Sequence, residues 1–139
     1  MKILKFTAII IAIIAIVIPV NAKKKTETDG TPMISFTEKT HDFGIIPADK
    51  NYVTTEFEFV NTGNAPLVIF DAKAECGCTR PSYPSNPIAP GKKGKIKVNF
   101  NPRGYMGGFT KSITIKSNGK PKSTVLKIVG TVNPNKDKK

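Results

Sequence analysis

Apolar and polar residues alternate with a period of two over most of the chain between Met33 and Val132. Val53, Thr55, Phe57 and Phe59 alternate with Thr54, Glu56 and Glu58; Ile96, Val98 and Phe100 with Lys95, Lys97 and Asn99; and Ile113 and Ile115 with Ser112, Thr114 and Lys116. Successive side chains of a strand point to opposite faces, so each run predicts a strand with one buried face. Ile34 and Phe36 predict a shorter one. The stretches "PLVIFDA" and "STVLKIVGTV" are apolar on both faces for part of their length, as expected near a sandwich centre or under a loop.

Between these runs lie "NTGNAP", "NPIAPGKKG", "NPRGYMGG" and "SNGKPKS", each dense in Gly, Pro and Asn. Such segments predict antiparallel connections rather than helical crossovers. The expected fold is all-β, an antiparallel β-sandwich of about seven strands, favoured over a closed barrel because the turn spacing is irregular. Lysines on alternate strand positions, at 95, 97, 111 and 116, also oppose edge-to-edge association.

The two ends read differently. Residues 1–22 carry Lys2 and Lys5, an apolar run from Phe6 to Ile18, then Pro19 and a small-residue ending at Ala22. That layout predicts an exported chain with a signal peptide cleaved after Ala22, leaving no stable membrane span, because the run is shorter than the roughly 20 residues a spanning helix needs; Lys23-Lys24-Lys25 directly after it keep an uncleaved anchor as the competing reading. Residues 23–32 have nothing apolar to bury beyond one Pro and are expected to form a disordered tether. The folded domain is expected over 33–132 and a polar tail over 133–139. Export predicts a periplasmic or extracellular address, where disulfides persist.

Loss of Lys2 and Lys5 would lower the formal net charge only from +12 to +10. Arg80 and Arg103 are the two arginines, so the charge is almost entirely lysine. Without interleaved Arg and aromatic residues it reads as a solvated surface and not as a nucleic-acid site.

Several short motifs, His41-Asp42-Phe43-Gly44, Asn61-Thr62-Gly63, Cys76-Gly77-Cys78-Thr79, Pro90-Gly91 and Ser117-Asn118, together resemble the DUF1573 family of exported bacterial proteins over roughly residues 34–132. The resemblance implies an immunoglobulin-like sandwich, similar to Hydin-type and major-sperm-protein-like modules, and an address in Bacteroidetes-type envelopes. It implies no biochemical activity. Antibody-type sandwiches join distant strands by a disulfide packed on a Trp. This chain has no Trp, and its two cysteines are one residue apart.

Those cysteines are the main candidate chemistry. In a flat strand Cys76 and Cys78 would share a face with Cα atoms about 6.6 Å apart, and their Cβ vectors would be parallel. A disulfide needs Cβ atoms about 3.5 to 4.5 Å apart, so it requires a bend, which Gly77 could supply with backbone angles closed to other residues. Three states stay open: two packed thiols, a readily reduced redox pair, or a copper or zinc site completed by His41.

His41 has a blander reading as a half-buried ring, and Asp42 as the cap of the bend into Phe43-Gly44. Glu56 and Glu58 share a strand face at a spacing that glycosidases use, but alternation places them in solvent. No phosphate loop, G-x-S-x-G or H-E-x-x-H motif occurs. The expectation is a non-enzymatic module without a cofactor that binds a protein or glycan partner in the envelope.

Overall fold

The computed structural model describes residues 30–134; the segment read as a signal peptide, most of the tether and the end of the polar tail lie outside them. Eight strands form, with no helix among the described residues: β1 (Ile34–Phe36), β2 (Thr40–Pro47), β3 (Val53–Asn61), β4 (Ile69–Ala74), β5 (Thr79–Ser82), β6 (Lys93–Phe100), β7 (Gly107–Ser117) and β8 (Ser123–Asn133). They make two four-stranded sheets, ordered β1-β3-β6-β5 and β2-β8-β7-β4.

The core lies between the sheets and is built from the residues the alternation marks. Phe57, Phe59, Ile96, Val98 and Phe100 come from one sheet, and Ile113, Ile115, Leu126, Ile128 and Val132 from the other; all are essentially inaccessible. Burial of such side chains contributes about 1.5–3 kcal/mol each. Phe59 tilts against Phe36, and Phe100 stacks on Phe109 with ring centroids 4.3 Å apart.

Four expectations change. The strands number eight because β5, which no alternating run marks, forms at Thr79–Ser82; its Thr79 and Pro81 stand opposite Phe100 and Val98 of β6. Pairing is not wholly antiparallel, since β2 runs parallel to β8 with Thr40 opposite Lys127 and Ile46 opposite Val132. A period of two records which face is buried, not which way the neighbour runs. "PLVIFDA" and "STVLKIVGTV" are not covered on both sides: with only two layers, each sheet keeps an outer face, and Phe70 and Val125 stand 55% and 47% exposed there.

The fourth change is at the tether. Its last residues belong to the domain: the Thr31 amide donates to Asn64 Oδ1 at 2.8 Å, the Asn64 amide to the Thr31 carbonyl and the Lys120 amide to the Pro32 carbonyl. Each of these bonds uses a backbone group of the tether, to which hydrophobicity is blind.

Asn61 ties the fold together from its interior. It is fully buried at the end of β3, and its Nδ2 donates to the carbonyls of Ala65 and Ile88 at 2.8 and 2.9 Å. Its Oδ1 accepts from the amides of Gly63 and Met33 at 3.0 and 3.3 Å. Its backbone also exchanges bonds with Lys92 and Gly91.

Glu56 and Glu58 lie on the outer face of β3, as alternation requires, in ion pairs with Lys95 at 2.9 Å and Lys93 at 3.0 Å. The Lys95 hydrogen bond, then its charge, holds the Glu56 carboxyl below its ordinary 4.5, while Glu56 raises the Lys95 ammonium above its ordinary 10.5. A depressed carboxyl stabilises the fold above pH 4.5 and loses that contribution as pH falls through its folded value. For Lys95 the contribution is complete below 10.5 and lost as pH rises through the folded value.

Both groups are exposed, so the effect is small and screened. Glu56→Gln is expected to leave the midpoint of thermal unfolding almost unchanged at neutral pH and to flatten the acid limb of the stability profile. Molar salt should erase the difference. An acid limb parallel to that of the unmodified protein would count against the pair.

Candidate functional site at the sheet-switching corner

Strand β4 belongs to one sheet and β5 to the other, so the chain changes layer between Ala74 and Thr79. Cys76-Gly77-Cys78 is that corner, and its cysteines form a disulfide with Cα atoms 5.3 Å apart. The corner is set by a local ladder: the Glu75 amide donates to the Ser112 carbonyl, the Thr79 amide to the Cys76 carbonyl at 3.3 Å, and the Asn101 amide to the Cys78 carbonyl at 2.8 Å. The flat-strand geometry that forbids the bond therefore never applies. The two sulfurs are bonded to each other in this structure.

The role expected of Gly77 is corrected. Positive φ occurs at Gly44, Gly91, Gly104 and Gly107, not at Gly77, so the bend is made with angles any residue adopts. A Cβ at Gly77 would meet nothing within 4 Å.

Around the disulfide, Thr79 Oγ1 lies 3.7 Å from Cys76 Sγ and 3.6 Å from Cys78 Sγ, and Thr79 itself is 3% exposed. Cys78 packs against the core, whereas Cys76 faces Tyr105, whose hydroxyl is 4.0 Å from Cys76 Sγ. Lys111 Nζ sits over the Tyr105 ring, 4.8 Å from its centroid. Beneath, Tyr105 tilts against Phe100. The loop holding Tyr105 turns at Gly104 and Gly107, both at φ +82, and carries Met106 72% exposed. Arg103 on the same loop donates to Asn51.

A disulfide closing so short a loop adds little to stability, about 1.6 kcal/mol by loop entropy against roughly 4.7 for a long loop. Its position, half-buried beside a phenol whose ring carries a lysine ammonium, is more informative than its contribution as a staple.

His41 is not part of this corner. It pairs with Ile128 of β8, at the opposite edge of the β2-β8-β7-β4 sheet from β4. Three strand spacings separate the edges, about 14 Å. Its half-buried ring packs edge-on against Phe43, centroids 4.7 Å apart. Among the described residues no group of three His, Cys, Asp or Glu side chains converges as metal ligands. Asp42 caps the bend as expected, its Oδ1 accepting from the Gly44 amide at 2.8 Å where the register shifts. Arg80, adjacent in sequence to the corner, instead stands opposite Asn99 on the outer face of β5.

Tyr105 and Lys111 are the members that sequence reasoning missed. The available signal was an aromatic residue and a Met isolated in "NPRGYMGG", a Gly-rich turn where nothing apolar is needed. A second feature missed from sequence lies on the outer face near the start of β4. There Phe70 borders an open hollow of about 520 Å3 lined by Lys116, Ser117, Asn118, Lys122 and Ser123.

Two four-stranded layers joined at such a corner define an all-β sandwich. The chain belongs to the DUF1573 family, described as a protein family of unknown function, which it matches over residues 34–132. Solved structures agree on the fold. A protein of unknown function from Porphyromonas gingivalis W83 superimposes with a TM-score of 0.64 at 17% identity, over 73% of this chain and 47% of that one. An ASH/PapD-like domain of human CEP192 gives 0.60 at 13% identity, over 76% and 89%. The secreted serine protease VesC of Vibrio cholerae gives 0.53 at 15% identity, over 72% and 23%. This chain thus spans about half of the Porphyromonas protein and a quarter of the protease. No curated protein matches it.

Proposed function

We propose that the domain is a non-enzymatic binding or scaffolding module acting in the periplasm or at the cell surface. In this reading it holds an extended acidic and apolar segment of a partner protein against the outer face of the β2-β8-β7-β4 sheet. The supporting observation is Phe70, a half-exposed phenyl ring on edge strand β4 over the hollow between Lys116 and Lys122. Exposed aromatics on a rigid frame anchor partners by burying large apolar area at low entropic cost.

Val125, two residues along the same face of β8 from Ser123, extends the apolar surface. Asp71 stands opposite Lys116 in the ladder, so Lys122 carries most of the attraction for a carboxylate. The lysine excess makes that attraction long-ranged and salt-sensitive.

Fluorescence anisotropy with labelled extended peptides of alternating Glu and Val tests the reading. Saturable binding is expected, weakened about tenfold by Phe70→Ser and by Lys122→Glu, the loss expected for about 1.4 kcal/mol. Added salt should weaken it further. Salt-independent binding of neutral oligosaccharides in place of the peptides would make the partner a glycan, and binding untouched by Phe70→Ser would sink the site.

A further inference from the structure

The geometry points to Cys76 and Cys78 as a thiol–disulfide exchange site, in which Cys76 carries the mixed disulfide with a partner dithiol and Cys78 is the resolving thiol. The site is independent of the Phe70 hollow: Asp71 to Ala74 of β4, about 13 Å along the strand, and then Glu75 separate Phe70 from Cys76.

Three observations carry it. The cysteines are unequal: Cys78 is packed on the core, while Cys76 faces the Tyr105 hydroxyl. The surroundings favour a thiolate at Cys76. Thr79 Oγ1 serves either sulfur, while the Tyr105 hydroxyl reaches that of Cys76, and Lys111 over the phenol ring strengthens the phenol as a donor. The carboxylate of the acidic neighbour Glu75 is engaged by the Ser112 amide at 3.1 Å. Finally, the approach is open: Gly77 is exposed between two cysteines that are themselves only half-buried, its backbone does not need glycine, and a side chain there would stand in open space beside them. A staple would need neither the opening nor the donors.

The exchange balances without another reactant. A thiolate of the partner dithiol attacks Cys76 Sγ, the Cys76–Cys78 bond breaks, and its electron pair leaves on Cys78, whose thiolate accepts the Thr79 hydroxyl proton as a hydrogen bond. The second partner thiolate then attacks the partner sulfur of the mixed disulfide. Cys76 departs as a thiolate facing Tyr105. The partner dithiol loses two electrons and two protons and becomes a disulfide, and Cys76 and Cys78 gain both. Run backwards, the same steps reduce a partner disulfide.

The test uses full-length protein and glutathione disulfide as probe, with mixed-disulfide formation followed by intact mass. The Cys76 thiol left in Cys78→Ser is expected to react at least tenfold faster than the Cys78 thiol left in Cys76→Ser. Tyr105→Phe in the Cys78→Ser background should remove most of that advantage. In the protein with both cysteines, dithiothreitol should open the bond while far-UV circular dichroism stays native. Gly77→Val should keep the unfolding midpoint and slow reduction by glutathione severalfold. Equal rates for the two thiols, a bond that opens only when the domain unfolds, or a Gly77→Val rate matching the unmodified protein would each overturn the assignment.

Discussion

Asn61→Ala is expected to destabilise the domain by about 3–5 kcal/mol, enough to lower the unfolding midpoint of a domain this size by roughly 15–30 °C. The side chain uses its whole hydrogen-bonding capacity inside the protein, donating to Ala65 and Ile88 and accepting from Met33 and Gly63. Its loss orphans two carbonyls and two amides at once. Buried groups left without partners cost more than a hydrogen bond contributes when made, which is why the sum is large.

The cause can be separated from lost volume. Asn61→Leu restores apolar bulk but none of the bonds, and should be as damaging as alanine. Asn61→Asp keeps both acceptors but loses the two donors and places a charge in the interior, so it too should fail. Urea unfolding of the three variants decides the matter; a leucine variant within 1 kcal/mol of the unmodified protein, a limit set at about the net worth of one bond, would show that packing alone matters at this position.

Phe100→Ala should cost a similar amount, about 3–5 kcal/mol, for a different reason. Phe100 is fully buried at the end of β6, opposite both Val53 of β3 and Thr79 of β5. It stacks on Phe109 and supports Tyr105, so its removal opens a cavity under the corner that carries the disulfide. Phe100→Leu refills most of that space and should cost roughly 1–2 kcal/mol. Hydrogen exchange should locate the effect: amides of the loop from Asn101 to Gly107 lose protection beyond the global change in Phe100→Ala and keep it in Phe100→Leu. Uniform loss across all strands in both variants would remove Phe100 as the support of the corner.

The two residues illustrate what can be read before a structure exists. Phe100 is visible as core because Ile96, Val98 and Phe100 alternate with lysines and Asn99, a period that only a half-buried strand satisfies. Asn61 is not. It occupies an inward position of β3 where the pattern of Phe57 and Phe59 would place another apolar group, and although Gly63 and Ala65 are local, its other two partners come from 28 residues before it and 27 after. A buried polar side chain is explained only by groups the fold brings to it.

The candidate site divides in the same way. Cys76 and Cys78 are singled out by their spacing, and Thr79 by adjacency. Tyr105 and Lys111 join them because β6 and β7 return along the same corner, and His41 stays away because β8 and β7 intervene.

The sequence by itself determined the all-β class, the family, the inward face of nearly every long strand and the solvent position of Glu56 and Glu58, because each follows from local alternation or short motifs. Only the tertiary structure decided the parallel pairing of β2 with β8, the change of sheet at Cys76-Gly77-Cys78, the disulfide that this bend permits and the exposure of Phe70. Each of these depends on which distant strand lies alongside, and a period of two along one chain carries no information about its neighbours.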